Sequence, residues 1–488
     1  MHPARAVCDP PPPPAPLLAG GRVLLTAQVA RLAIRLVAAA TLARLLLPDD
    51  YGLFAMVLSV HGLLYMVRDF GTGPAVQQGE LTAERFAALR RLGLVGGCGL
   101  MVVCAALGPG VAWFYDEPRL TVLMVAIGVS FPFAGLAAPL QGRLYREQRI
   151  GTAAWAEIAG LGASSAAAII AAGAGAGVWA LVLMAIVNEA TTLGLLVAGQ
   201  RGLPPLVASA GAAAWSQLAG FAAQLSAHGV ASYFARLCDQ ITVGRFANSA
   251  ALGIYGRGVQ LATLPVQSAV APLTGWLVAS LARLRDRPAE YRAFFRAVLN
   301  GLNHLVLPFA AGCIVAPEVV VGVFYGHRWL AAAPVLRWLG VGLVVQTWLA
   351  APVWILLSVG RARRLAGWSV AMLVVFLIAC GLARHAGLEA MAAANAGAAL
   401  LAALGALVVS VRGTPVRAGD FAAASACPLL GSVGLAVVLA ALHHILPGDK
   451  PGIMLAALAA AGAIYGAVVW GTWPRLRTEW RGHFLWQR

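Results

Sequence analysis

Residues 92–114, LGLVGGCGLMVVCAALGPGVAWF, run for twenty-three positions without a charged side chain. Wound as a helix at 1.5 Å per residue, they reach about 34 Å, enough to cross the ~30 Å hydrocarbon core of a bilayer. Working outward, the same pattern recurs at 22–46, 51–70, 89–114, 119–141, 153–173, 176–198, 217–246, 250–281, 295–325, 331–358, 364–383, 388–411, 421–445 and 453–473. With 60% hydrophobic residues, 11% charged residues and a mean hydropathy of +0.80, the chain has too little polar surface to be a soluble globule. In hydrocarbon, backbone polar groups must be satisfied within the segment, which selects helices. The expectation is an all-α integral membrane protein of about 14 transmembrane helices. Several windows exceed one bilayer thickness, so tilts and kinks are expected, and the 55 glycines and 27 prolines suit them.

Charge placement orients these spans. A net charge of +16 would suggest nucleic acid in a soluble protein, but with a cytoplasmic N-terminus and fourteen spans, 23 arginines fall in inner segments. The outer turns hold only Arg119, Arg328, Arg384 and Lys450. This asymmetry satisfies the positive-inside rule and puts both termini in the cytoplasm. The basic segment from Arg283 to Arg292 reads equally as a surface helix on anionic headgroups or as a solvated loop. Residues 1–20, with Pro10 to Pro14 in succession, read as a disordered cytoplasmic tail, and 475–488 as a second tail. The seven cysteines form no CxxC pair, and six of them (Cys98, Cys104, Cys238, Cys313, Cys380, Cys427) behave as small apolar residues in or beside helices. No metal site, cofactor site or catalytic constellation is found: GxxxxGK[ST], HExxH and GxSxG are all missing.

A repeat at an offset of 201 residues organises the chain. Arg35-Leu36 matches Arg236-Leu237, Thr41 matches Thr242, Arg44 matches Arg245, and Gly52-Leu53-Phe54 matches Gly253-Ile254-Tyr255. Six helices separate the copies, so both have the same membrane orientation. The expected plan is an N-terminal six-helix lobe (21–200), a C-terminal six-helix lobe (201–412) and an appended helix pair (413–474), with the substrate between the lobes.

The informative polar groups lie inside the apolar runs. Arg31 and Arg35 share one face of the first helix. Arg236 and Asp239 are three apart on the seventh and can pair, and Arg257, Arg337, Glu157 and Glu189 lie at or within spans. An arginine at the bilayer centre costs on the order of 2.5–3.5 kcal/mol on insertion scales, so it must face water, pair with a carboxylate, or snorkel. Arg31, Arg35 and Arg236, with Arg257 and Arg337, are expected to line a cationic cavity. Guanidinium groups there suit a phosphate or diphosphate, which they bind bidentately. Asp239, Glu157 and Glu189 are the pairing or coupling candidates, with H+ or Na+ as the coupling ion.

Several stretches carry a family resemblance. They are Leu42 to Met56 (LARLLLPDDYGLFAM), Asp69 to Gln77, Trp113 to Arg119, Arg236 to Arg245 (RLCDQITVGR) with Ala251 to Tyr255 and Gln260 to Pro265, and Phe324 to Trp329 with Ala333-Pro334. In order along the chain, they resemble the Wzx-type polysaccharide exporters, nearest the colanic-acid branch of the multidrug/oligosaccharidyl-lipid/polysaccharide flippase superfamily. The family pattern usually has glycine where Asn248 stands and a polar residue where Gly256 stands.

The resemblance implies a transporter rather than an enzyme, in the bacterial inner membrane. It would move undecaprenyl-diphosphate-linked oligosaccharide to the outer leaflet by alternating access, with lipids and polysaccharide polymerase or assembly proteins as partners and no nucleic acid. Rival readings are a cation-coupled drug or metabolite exporter and a flippase for the peptidoglycan lipid precursor. A membrane glycosyltransferase is disfavoured by the short outer turns, and a purely structural protein by the intramembrane arginines.

Overall fold

The computed structural model describes residues 16–68, 72–78, 81–203 and 219–445, with 462, 465 and 466. Residues 1–15 of the expected first tail, the second tail, most of 199–216 and nearly all of the 453–473 helix lie outside the described residues, whereas 16–20, expected as tail, open the first helix. Among the described residues all regular structure is helical. The first half comprises α1 (Pro16–Leu45), α2 (Pro48–Val67), α3 (Thr72–Gln78), α4 (Ala83–Tyr115), α5 (Arg119–Gly128), α6 (Ser130–Arg146), α7 (Ile150–Gly173) and α8 (Val178–Gly199). The second comprises α9 (Ala219–Phe246), α10 (Ser249–Arg283), α11 (Pro288–Val315), α12 (Pro317–Tyr325), a 3-10 turn (His327–Ala332), α13 (Ala333–Leu343), α14 (Gln346–Ser358), α15 (Ala362–Ala383) and α16 (Gly387–Val411), and α17 (Ala418–Ile445) follows.

Nine described helices are long and apolar enough to cross a membrane, or ten if the pair bent by 42° between Leu343 and Gln346 is one span. The helices α1, α9 and α10 are also long enough to cross. They carry Arg31 and Arg35, Arg236 and Asp239, and Arg257.

Local chemistry sets the boundaries. Pro48 opens α2, whose first turn holds Asp49 and Asp50, and the Leu47 amide donates to Asp50 Oδ2 at 2.9 Å. Asn248 caps α10 by accepting from the Ala251 amide at 2.7 Å. The structure also corrects three expectations. Part of the 71–88 loop is the short helix α3. The expected 295–325 helix breaks at Ala316, where Pro317 starts a new one. Only a short turn separates α10 from α11, so the basic segment forms no separate surface helix.

The two halves pack by the same plan. Helix α1 lies on α7 and α9 on α15, α7 packs on α8 and α15 on α16, and α17 runs along α11. Where α2 meets α10, the contact is reciprocal. A Cβ on Gly52 would lie 1.6 Å from the Ser249 carbonyl oxygen, and one on Gly253 would lie 1.9 Å from that of Pro48. Ser249 is Pro48 shifted by 201 residues, and Gly253 is Gly52 shifted by the same amount. Such pairing is what a two-fold relation imposes.

The core shows where the halves join. One apolar cluster draws on both, with Leu46, Tyr51, Leu53 and Tyr115 beside Leu252, Tyr255, Tyr325 and Trp329. It surrounds the end carrying the α1–α2 and α9–α10 turns, which the charge pattern assigns to the outside. At the opposite end the core divides. Phe86, Leu144, Ala153 and Leu196 belong to the first half, and Leu281, Tyr291, Phe295, Trp354 and Phe421 belong to the second half with α17. Among the described residues the core is joined at one end and divided at the other.

Candidate substrate cleft

Between the halves, α1 faces α10 and α12 across a narrow open cleft whose enclosed part measures about 70 Å³. Leu32, Arg35, Leu36 and Ala39 line it from α1, Gln260, Leu264 and Gln267 from α10, and Phe324 and Tyr325 from α12. Arg35, Gln260 and Gln267 are exposed although they sit mid-helix. Polar groups there need water or a polar ligand rather than acyl chain. The lining carries one guanidinium and no carboxylate.

The seal above this cleft joins the halves through aromatic and cationic groups. The Arg257 guanidinium lies 3.8 Å from the Tyr51 ring centroid and 5.7 Å from that of Tyr325. Trp329, fully buried, meets Tyr51 edge-on at 5.3 Å and donates from Nε1 to the Ala43 carbonyl at 2.7 Å. Ser249 Oγ donates to Asp49, which also receives Arg119 Nη1 at 2.9 Å. Tyr51 Oη and Arg257 Nε are buried without a hydrogen-bond partner among the described residues. Arg257 therefore borders the same tyrosine as the cleft that holds Arg35.

The other anticipated residues separate into environments. Arg236 is exposed beside Tyr233, whose hydroxyl crosses to the Leu58 and Ser59 carbonyls at 3.0 Å each. Arg31 has a carboxylate partner, Glu157 Oε2, at 2.6 Å, and Gln141 donates to the other oxygen of Glu157. Arg337 pairs with Glu318 at 3.0 Å on an exposed face rather than in the cleft. Glu189 is buried and accepts from Tyr65 Oη at 2.6 Å and Asn188 Nδ2 at 3.2 Å.

The expected Arg236–Asp239 pair does not form. Asp239, only 2% exposed, accepts from Tyr255 Oη at 2.8 Å, Asn395 Nδ2 at 2.7 Å and the Gln240 amide at 2.7 Å. Its partners come from α9, α10 and α16, so one buried carboxylate ties three helices of the second half.

Sequence reasoning missed Tyr51, Tyr65, Tyr255, Gln260, Gln267 and Asn395 as partners. Their signal was uncharged polarity inside apolar runs, which is weaker than charge.

The polysaccharide biosynthesis protein family matches residues 41–334, more than half of the chain. The chain belongs to this family. The chain is similar to the teichuronic acid biosynthesis protein TuaB of Bacillus subtilis, 25% identical over 71% of this chain and 70% of that protein. The succinoglycan biosynthesis transport protein ExoT of Rhizobium meliloti is 23% identical over 90% and 88%. The lipopolysaccharide biosynthesis protein WzxC of Escherichia coli is 22% identical over 66% of each. The family is that of the Wzx-type polysaccharide flippases expected from the sequence, so the chain is a multi-pass membrane transporter rather than an enzyme.

The fold agrees with this. It resembles the lipid II flippase MurJ in an inward closed conformation, with a TM-score of 0.69 at 12% identity, covering 93% of this chain and 99% of that one. An inward-facing multidrug transporter of the same superfamily gives 0.58 at 12% identity, covering 78% and 97%.

Proposed function

We propose that this flippase moves polyprenyl-diphosphate-linked oligosaccharide, with undecaprenyl as the lipid, from the inner to the outer leaflet of the bacterial inner membrane for polysaccharide assembly. The observation that carries the reading is the cleft between the halves, with a mid-helix guanidinium, two carboxamides and no carboxylate. Arg35 would hold the diphosphate, and Arg236 and Arg257 would extend the cationic path, because guanidinium groups bind such oxyanions bidentately. Arg31 would act through Glu157 to fix the position of α1. The divided end of the core would admit the head group from the cytoplasm, and parting of the sealed end would release it outside. Adding α1, α9, α10 and the 453–473 segment to the apolar helices makes the fourteen spans of this topology, with both termini inside. Assembly proteins that polymerise the glycan are its natural partners.

Asp239 is the residue on which H+ or Na+ coupling would act, since its hydrogen-bond partners are neutral groups. A buried carboxylate of this kind also suits a cation-coupled exporter of small molecules. The guanidinium in the cleft favours an anionic cargo over a cationic one. In cells relying on this protein for export, Arg35→Ala should leave it folded and inserted while lipid-linked oligosaccharide accumulates inside. Arg35→Lys should restore part of the export. Full export by Arg35→Ala at normal abundance would overturn the reading.

A further inference from the structure

The carboxamides of the cleft carry no charge to match a diphosphate, and they are not scattered. Gln260 and Gln267 lie two turns apart on one face of α10, about 10 Å along its axis. Each is held by a neighbour. Tyr325 Oη donates to Gln260 Oε1 at 3.4 Å, and Gln267 Nε2 donates to Thr263 Oγ1 at 3.3 Å. Thr263 is itself anchored on the Val259 carbonyl at 2.9 Å. Phe324 and Tyr325 stand in the same lining. A carboxamide offers both donors and an acceptor without charge, which matches a hydroxyl group and gains nothing from a simple ion. Aromatic rings offer apolar faces against which the C–H face of a pyranose ring can lie.

From this arrangement we propose that Gln260, Gln267, Phe324 and Tyr325 form a carbohydrate subsite for the uncharged, hydroxyl-rich sugars that follow the diphosphate. The inference rests on the proposed function and adds to it the part of the cargo that α10 reads. Arg35, across the cleft, supplies binding common to every diphosphate-linked lipid. The carboxamides supply the part that depends on the glycan. Their spacing exceeds one sugar ring, so the two glutamines address successive rings.

The test uses the full chain in nanodiscs and two probes, undecaprenyl diphosphate and undecaprenyl-diphosphate-linked disaccharide, with affinity read by titration. Wild type should bind the disaccharide-linked probe about tenfold more tightly, the scale of one or two net hydrogen bonds. Gln260→Met with Gln267→Met keeps volume and helix propensity and should erase that difference while leaving undecaprenyl diphosphate affinity unchanged. Thr263→Val, which frees Gln267, should reduce the preference by a smaller factor, and its binding of the plain diphosphate reports that the fold is intact. An unchanged preference in the double variant overturns the subsite, as does a wild type that binds both probes equally. A wild type that binds neither probe overturns the proposed function itself, and the subsite with it.

Discussion

Adding one methyl group at the α2–α10 crossing should drive the sealed end open. At Gly52 the new Cβ would sit 1.6 Å from the Ser249 carbonyl oxygen, and at Gly253 it would sit 1.9 Å from that of Pro48. Ordinary contact begins near 3.4 Å, and both obstacles are backbone, so the helices themselves must separate. Overpacking of this kind costs about 1–3 kcal/mol. Because the strain lies between the halves and not within either, it acts on their equilibrium, shifting it roughly 5- to 150-fold away from the sealed form. The assay is labelling of Ala39→Cys, in the cleft behind the seal, by an impermeant maleimide applied outside in a cysteine-free background. Gly52→Ala or Gly253→Ala should raise the labelling rate by about that factor. Gly99→Ala, where a Cβ meets nothing within 4 Å, should leave it unchanged. A Gly52→Ala, Gly253→Ala double variant that is folded, inserted and labelled at the wild-type rate would refute the argument.

Further outcomes test the neighbouring interactions. Tyr51→Phe should label as wild type, because the lost hydroxyl has no partner, whereas Tyr51→Leu removes the Arg257 stacking and should raise outside labelling of Ala39→Cys about 2- to 30-fold. Arg31→Ala should lower thermal stability by about 1–2 kcal/mol, discounted for partial exposure of the pair, with Arg31→Met, Glu157→Met recovering most of it and both retaining diphosphate binding. At the outer turn, the bidentate hydrogen bond from Arg119 holds the Glu117 carboxyl below the usual glutamate range. A depressed carboxyl contributes its stability at neutral pH and loses it as pH falls through its folded value. The stability gap between wild type and Glu117→Gln, under about 1 kcal/mol for so exposed a pair, should therefore close below about pH 4 in thermal unfolding.

Much of this architecture is legible in the chain because its strongest signals are one-dimensional. Apolar runs located α4, α7, α8, α15 and α16 within a few residues at most helix ends, and the reciprocal Gly52–Ser249 and Gly253–Pro48 contacts, which the sequence did not foretell, are related by the same 201-residue offset. Breaks inside apolar sequence were not legible. Val129 divides α5 from α6 with only Ser130 beside it, and Val344-Val345 divides α13 from α14 with only Gln346, single uncharged residues that do not interrupt an apolar run. The partners of buried charges were the least legible. Proximity on one helix suggested Arg236 for Asp239, yet the carboxylate is satisfied by Tyr255 and Asn395, the latter 156 residues away. Arg31 likewise finds Glu157 on α7, a pairing that only the docking of α1 against α7 creates.

Polar side chains within the spans gather on the helices that would carry the proposed transport path. A helix surrounded by lipid lowers its free energy by being apolar on every side, and α4, α8 and α15 approach that limit. The helices α1, α9 and α10 carry Arg31 and Arg35, Arg236 and Asp239, and Arg257, Gln260 and Gln267, and they meet the opposite half: α1 touches α12, α9 touches α2 and α4, and α10 crosses α2. Their polar side chains are tolerable because the faces that carry them are turned toward a wet cleft or a sealed contact, not toward hydrocarbon. Replacing Arg35, Gln260 and Gln267 by leucine would make these helices better membrane spans while removing every charged or carboxamide group from the cleft. Such a variant should insert well and export nothing. On the proposed function, the polar cost carried by these helices serves transport rather than folding.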